Sequence, residues 1–376
     1  MVPNECPHEE VSMPVHGEVP WPIPEHTSAK HDIYRHYLHR WFPILIGGAN
    51  AYPSATYAEG FSGPGIYEDG EPGSPMIAIH ALHQEVPATK GISRFLFIDD
   101  DPRCIKLLNE QLAPVVASSP RAAPSMPIKV QQGKCEEILE DELTKINAWG
   151  QPILAVLDSW GNAPVSFRLL QRLAANPSSE VIVTFEPQYF VRFVTELGDS
   201  ADEVFGGDRV WRQVADLPDG PTKRRHLLDC YRHTLKSAGF GFLLDFELVD
   251  RRGNVLYLVF GTRHKLGVEK MKDALWEVDR AYGVGFRDPR DQQEEALFAV
   301  DEPQLAPLGR LVLPEIAKAG LHGRKIGTLI DYTLCETVFR KQHIIPTIES
   351  LRAQGKVETR KPGRITYGTE VRTPAS

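Results

Sequence analysis

The chain has 376 residues, 42% apolar and 24% charged, with a net charge of −8. That balance excludes a disordered or collagen-like chain and suits two domains, or one large domain with an appendage. The charge is uneven: residues 301–376 hold 12 Lys+Arg against 8 Asp+Glu, and the rest 30 against 42. A basic tail on an acidic body reads either as an anionic partner's footprint or as ordinary surface variation.

Residues 1–28, rich in Pro, Glu and His, are expected to form an extended arm. They lack the basic and apolar regions of a secretory signal. No run in the chain approaches the ~20 apolar residues needed to cross a bilayer. A cytoplasmic location is the expectation. A helix is predicted over about 29–45, where Ile33, Tyr37, Trp41 and Ile44 recur at helical spacing. The strand Ala55–Ala58 follows, then a Gly/Pro loop. A helix from Pro75 to about His83 has Ser74 as its expected N-cap.

Apolar strands are then predicted at Phe95–Ile98, Ile128–Val130, Ile153–Leu157 and Val181–Phe185, with helices at Pro102–Leu112 and Val165–Ala175. Such alternation predicts a parallel sheet covered on both faces. Phe240–Leu248 and Asn254–Gly261 flank a Gly253-Asn254 turn and should add an antiparallel hairpin, giving about seven strands. Residues 286–303 read as a linker. In 304–376, three short helices (Leu305–Ala319, Ile326–Leu334, Gln342–Ala353) precede Lys356–Arg360 and Ile365–Tyr367, which flank a basic turn. That order predicts a winged helix-turn-helix.

Chemistry concentrates where the strands end. Glu59-Gly60-Phe61-Ser62-Gly63-Pro64-Gly65 closes the first strand. Glycines allow a tight turn with backbone close to a ligand, although a glycine turn without a ligand has the same signature. Phe95–Ile98 leads into Asp99-Asp100-Asp101. In doubly wound nucleotide-binding folds, the acid ending the second strand accepts hydrogen bonds from ribose hydroxyls, and Asp99 is best placed for that. Asp100 and Asp101 read as a solvated loop or, alternatively, as ligands for a divalent metal. Gly133 and Lys134 would border an adenine. Cys135 has no adjacent His, so packing is the better reading than a nucleophile. Asp158 could take a proton or hold a substrate amine, and Trp160 could stack on a base; a helix cap and a core tryptophan are the alternatives.

Metal ligation is not expected. His80 and His83 share a helix face without a third ligand, and His31, His36 and His39 read as a solvated or packing face. The five cysteines (Cys6, Cys104, Cys135, Cys230, Cys335) form no Cys-x-x-Cys pair, which argues against a disulfide framework. In the tail, Arg340, Lys341, His343, Arg352, Lys356, Arg360, Lys361 and Arg364 are candidates for phosphate contact, though winged helices also bind proteins.

The ordered set of Glu59-x-Phe61-Ser62-Gly63-Pro64-Gly65, Gly73-Ser74-Pro75, Asp99 and Asp158 resembles class I S-adenosylmethionine-dependent methyltransferases. More narrowly, the chain resembles the three-Cys-motif partner protein (TcmP) family. The features that carry this are Lys30-His31-x5-Tyr37-Leu38-x-x-Trp41, Phe205-Gly206 with Trp211-Arg212, Leu256-Tyr257, and Thr262-x-His264-x-x-Gly267-x-x-Lys270-Met271-Lys272. The resemblance implies a Rossmann-like methyltransferase domain over 29–285 and a winged helix over 304–376. It also implies an S-adenosylmethionine site and a radical-SAM-like partner that carries the three cysteines. It supplies no established reaction.

Two departures stand out. Asp158-Ser159-Trp160-Gly161 replaces the family's Asp-Pro-Phe-Gly, and it lacks the second-position proline that amino-methylating enzymes use to aim a carbonyl at the amine. Glu59 replaces the commoner Asp. Two functions are therefore expected from the sequence. One is methyl transfer to a DNA or RNA base. The other is a non-catalytic nucleic-acid-binding subunit of a radical-SAM-like repair or modification enzyme.

Overall fold

The computed structural model describes residues 18–121, 123–159, 165–250, 252–287, 302–360 and 363–374. Helix α1 (Glu25–Phe42) starts inside the expected arm and passes into a π-helical turn over Pro43–Gly47. Its Ile33, Tyr34, Tyr37, Leu38 and Trp41 recur at helical spacing and are all buried.

Five parallel strands follow: β1 (Ser54–Glu59), β2 (Ile92–Asp99), β3 (Ile128–Gln132), β4 (Ile153–Leu157) and β5 (Glu180–Phe185). Between them lie α2 (Ser74–Glu85), α3 (Pro102–Ala117), α4 (Cys135–Lys145) and α5 (Phe167–Ala175). After β5 come α6 (Pro187–Arg192), α7 (Asp199–Val204) and α8 (Gly220–Ala238). The expected hairpin is β6 (Phe242–Val249) with β7 (Val255–Thr262), antiparallel to each other, and β7 runs antiparallel to β5. After α9 (Lys265–Val278), a short β8 (Gly285–Arg287) pairs with β6 and makes the sheet eight-stranded rather than seven.

The order is β3-β2-β1-β4-β5-β7-β6-β8. Strand direction explains why the central strands are apolar throughout. On β4, Ile153, Ala155 and Leu157 enter the core beneath α4, α5 and α8. Leu154 and Val156 enter the opposite core, beneath α1, α2 and α9.

The tail builds a third core from α10 (Ala306–Ala317), α11 (Ile326–Glu336) and α12 (Ile344–Ala353), and Trp276 of α9 belongs to it. A small antiparallel sheet joins β9 (Arg324–Lys325), β10 (Glu358–Thr359) and β11 (Glu370–Arg372) in the order β10-β11-β9. The last strand therefore falls later than the expected Ile365–Tyr367. Ile365 is instead a buried core residue, and Thr366 to Thr369 form a hydrogen-bonded turn that delays the pairing. Ser74 is likewise corrected: Gly73 caps α2, because the Ser74 hydroxyl is turned to Glu59. No described helix is long and apolar enough to cross a membrane.

Candidate functional site

In an open α/β sheet, ligands bind beyond the carboxyl ends of the strands where the strand order reverses. Here that point lies between β1 and β4, and Glu59 and Asp158 stand on its two sides. Asp99, at the end of neighbouring β2, completes a row of three carboxyls.

Glu59 is 1% exposed and accepts the Ser74 hydroxyl at 2.8 Å. Burial pushes its pKa up to about 8, only partly offset by the Tyr57 and Ser74 hydroxyls. It is therefore largely protonated at neutral pH. Asp99 is half-buried and faces the glycine loop. One oxygen accepts the Gly63 N–H at 2.7 Å, and the other accepts the Asp101 N–H at 3.0 Å. Burial raises its pKa to about 6 against those two hydrogen bonds.

The glycine loop is held by its own chain. The Ser62 N–H bonds the Ile98 carbonyl at 2.8 Å, and the Gly73 N–H bonds the Gly65 carbonyl at 2.8 Å. A Cβ on Gly60 would lie 2.3 Å from the Cys135 Sγ, and one on Gly65 would lie 2.7 Å from Leu108. Packing thus fixes these two glycines. Gly63 differs. Its φ is +60°, and a Cβ there would meet only the Trp21 ring, at 3.9 Å. Trp21 covers this point and meets Tyr67 edge-on.

The other residues singled out from sequence divide by position. Phe61 packs against the core beside the loop. Asp100 is exposed. Asp101 caps α3 and pairs with Arg103 at 2.6 Å. The Gly133 N–H bonds the Asp99 carbonyl at 3.0 Å, so the end of β3 is tied to the site, and the exposed Lys134 precedes α4. Cys135 is buried, and burial pushes its thiol pKa far up. Trp160 lies outside the described residues. His83 bonds the Ser119 hydroxyl, and His31 is buried. Among the described residues, no group of three or more His, Cys, Asp or Glu could hold a metal ion.

Sequence reasoning missed what α1 does. Lys30 places its Nζ 2.5 Å from Asp158 Oδ2, with the two side chains 8% and 18% exposed. Thr184 donates to the other Asp158 oxygen at 2.5 Å, and the Tyr34 hydroxyl reaches Oδ2 at 3.5 Å. Burial alone would raise the Asp158 pKa; the Lys30 charge and the bonds from Lys30 and Thr184 outweigh it and hold the group below its ordinary value. Next to Lys30, burial and the Lys30 charge lower the His31 pKa to about 3, so its ring is neutral. The available signal was a lysine among the residues of α1 that are spaced for burial with Ile33, Tyr34, Tyr37 and Trp41.

In the tail, most of the basic residues singled out are engaged within the chain. Arg340 lies 3.8 Å from Glu277, and Lys341 pairs with Glu269 at 2.9 Å. Arg352 bonds the Gly363 carbonyl at 3.1 Å, and Arg360 pairs with Glu370 at 2.9 Å. His343 is buried, while Lys356 and Arg364 are exposed. Lys361 lies outside the described residues. Tyr367 is 68% exposed, and its ring lies over Gly327.

The sheet order, with its antiparallel β7 between β5 and β6 and its acid-ended β1, β2 and β4, defines a Rossmann-like fold of the class I methyltransferase type. No family model matches the sequence, and no curated protein matches it. Solved structures similar to parts of the chain include the following two. One is the crystal structure of EvdMO1, 11% identical with a TM-score of 0.34; the match covers 64% of this chain but 42% of that one. The other is the O-methyltransferase TomG from Streptomyces achromogenes, involved in tomaymycin synthesis and solved in complex with SAM. It is 13% identical with a TM-score of 0.33, and the match covers 64% of this chain and 88% of that one.

Three features of the site bear on an adenosyl cofactor. Asp99 presents carboxylate oxygens at the rim of the loop, where ribose hydroxyls could donate. The Ser62 hydroxyl is buried without a hydrogen-bond partner in the structure, which leaves polar capacity beside Gly63. Gly63 leaves the space of a Cβ open beneath Trp21. Those three features fit.

Proposed function

We propose that the protein is an S-adenosylmethionine-dependent methyltransferase. The observation that carries this reading is Asp99, half-buried at the end of β2 and locked against the glycine loop by the Gly63 N–H at 2.7 Å. A carboxylate so placed takes ribose hydroxyls without reorganising. Ser62, Gly63 and Phe61 would hold the methionine end, Glu59 and Gly65 would support that loop from below, and Asp100, Gly133 and Lys134 would border the adenine. The cofactor, when bound, supplies an electrophilic methyl group. The chain orients it and excludes water: Trp21 and Tyr67 cover the loop, and α1 closes the β4 side.

A nucleic-acid acceptor is supported by the tail. The order of α10, β9, α11, α12, β10 and β11 supports the winged-helix reading of the tail. The exposed Tyr367 stands next to Gly327, close in sequence to the exposed Lys325, and Arg364 is also exposed. An aromatic beside cations suits stacking on an unpaired base with phosphate contact. The engagement of Arg340, Lys341, Arg352 and Arg360 inside the chain leaves less phosphate-facing charge in either reading. What favours the second, a non-catalytic binding subunit, is Ser159 in place of the proline after Asp158. The resemblance to the TcmP family supports a radical-SAM-like partner in either reading.

Isothermal titration calorimetry of the full chain with S-adenosylmethionine separates the two in part. A binding subunit that had lost the cofactor would give no heat, whereas one that retained it is told apart only by an assay of methyl transfer to DNA and RNA. The enzyme reading expects saturable one-site binding that Asp99→Ala weakens at least about tenfold, the loss of one charge-assisted hydrogen-bond acceptor. Binding heat identical in wild type and Asp99→Ala would remove Asp99 from the site.

A further inference from the structure

Lys30 is a buried cation to which the methyl-transfer reading gives no chemical task. It projects from α1 onto the end of β4, where its Nζ lies 2.5 Å from Asp158 Oδ2. Around it, Glu59 is largely protonated and His31 is neutral. The acceptor side of the cleft therefore carries one fixed negative charge, Asp158, already paired with one fixed positive charge, Lys30.

That pairing discriminates between acceptor atoms. An attacking amine builds positive charge on nitrogen, which the Lys30 ammonium opposes. A hydroxyl that loses its proton builds negative charge on oxygen, which an ammonium within hydrogen-bond reach stabilises. The strand-four segment points the same way, since Ser159 lacks the proline that would aim a carbonyl at an amine.

We propose that the methyl acceptor is a hydroxyl oxygen, the ribose 2′-hydroxyl of RNA, held against the Lys30 ammonium that Asp158 anchors. The proposal rests on the methyl-transfer reading and narrows its substrate. RNA follows from combining an oxygen acceptor with the nucleic-acid features of the tail, because the 2′-hydroxyl is the group that RNA has and DNA lacks. In the step, the hydroxyl proton passes to the Asp158 carboxylate, a weak base while Lys30 holds its pKa down, in concert with attack on the methyl, and is released to solvent when the product leaves. The oxygen gains alkoxide character, balanced by Lys30, and its lone pair forms the new C–O bond to the methyl carbon. The C–S bond breaks with its electron pair passing to sulfur, which leaves a neutral thioether.

The test incubates the full chain with tritiated-methyl S-adenosylmethionine and either an RNA transcript or DNA of the same sequence, then digests the product to nucleosides. Label is expected in RNA alone, on ribose oxygen. Lys30→Met should cut transfer at least about 100-fold, the scale of losing one oxyanion donor, with cofactor affinity by calorimetry kept within about threefold. Lys30→Arg keeps the cation and should restore part of the rate. If Lys30→Met does not fold, the labelled atom in wild type still decides. Label on a base nitrogen, equal labelling of DNA, or cofactor binding with no label in RNA overturns the proposal. Absence of cofactor binding in the calorimetry overturns the methyl-transfer reading beneath it.

Discussion

His31 shows how one residue couples the site to stability. Its ring is 4% exposed and packs near Tyr34 and Tyr67. Burial, then the Lys30 charge, lowers its pKa from 6.5 to about 3. The unfolded chain takes a proton below about pH 6.5, and the folded chain refuses it until about 3. The stabilisation tied to the neutral ring is thus complete above pH 6.5 and is lost as pH falls from 6.5 towards 3, by on the order of 5 kcal/mol. His31→Phe, with a ring that cannot titrate, should flatten the slope of Tm against pH over that window relative to wild type. An unchanged slope would show that His31 does not contribute. At this scale the sequence was only partly legible. Glu59, Asp99 and Asp158 could be placed because each directly ends an apolar strand. Lys30 could not, because its partner lies on a strand far along the chain and only the packed fold brings them together.

At the level of elements, glycine packing ties the loop to the sheet. Gly60 sits against Cys135 at the start of α4, where a Cβ would lie 2.3 Å from the Sγ, 3.2 Å from the Cys135 Cβ and 3.3 Å from Leu157. Gly60→Ala should cost about 1–3 kcal/mol through overpacking. Adding Cys135→Ala removes the Sγ, and the double variant should recover about half of that loss in urea denaturation. Simple additivity of the two losses would show that the contact does not limit the site. Strands were legible as continuous apolar runs, as in β2, β4 and β5, and α1 by its 3.6-residue period. The errors fell where side-chain chemistry overrode local pattern. Ser74 gave up a cap to bond Glu59, and the Thr366–Thr369 turn moved the final strand to Glu370–Arg372.

Across the whole molecule, α9 joins the sheet to the tail. Lys272 is 1% exposed, and its Nζ lies 2.6–3.0 Å from the carbonyl oxygens of Thr333, Leu334, Thr337 and Phe339, which share its three N–H donors. Trp276 donates to the Val338 carbonyl at 3.0 Å and contacts His343 at a centroid distance of 4.3 Å. Sequence pattern separates the two units by composition, but it cannot show a lysine capping the end of a helix that follows some sixty residues later. Lys272→Met would leave those carbonyls unsatisfied at a cost of about 3 kcal/mol. Amide hydrogen exchange should then quicken in α11 and α12 while β1, β4 and β5 keep their protection. Uniform quickening across both units would contradict this local coupling. The central claim, that the ends of β1 and β2 seat an adenosyl cofactor, is tested most directly by a crystal structure of the full chain grown with S-adenosylmethionine. The account predicts ligand density at Gly63, with both ribose hydroxyls within hydrogen-bond distance of Asp99; a Gly63 site covered by Trp21 with no ligand density would contradict it.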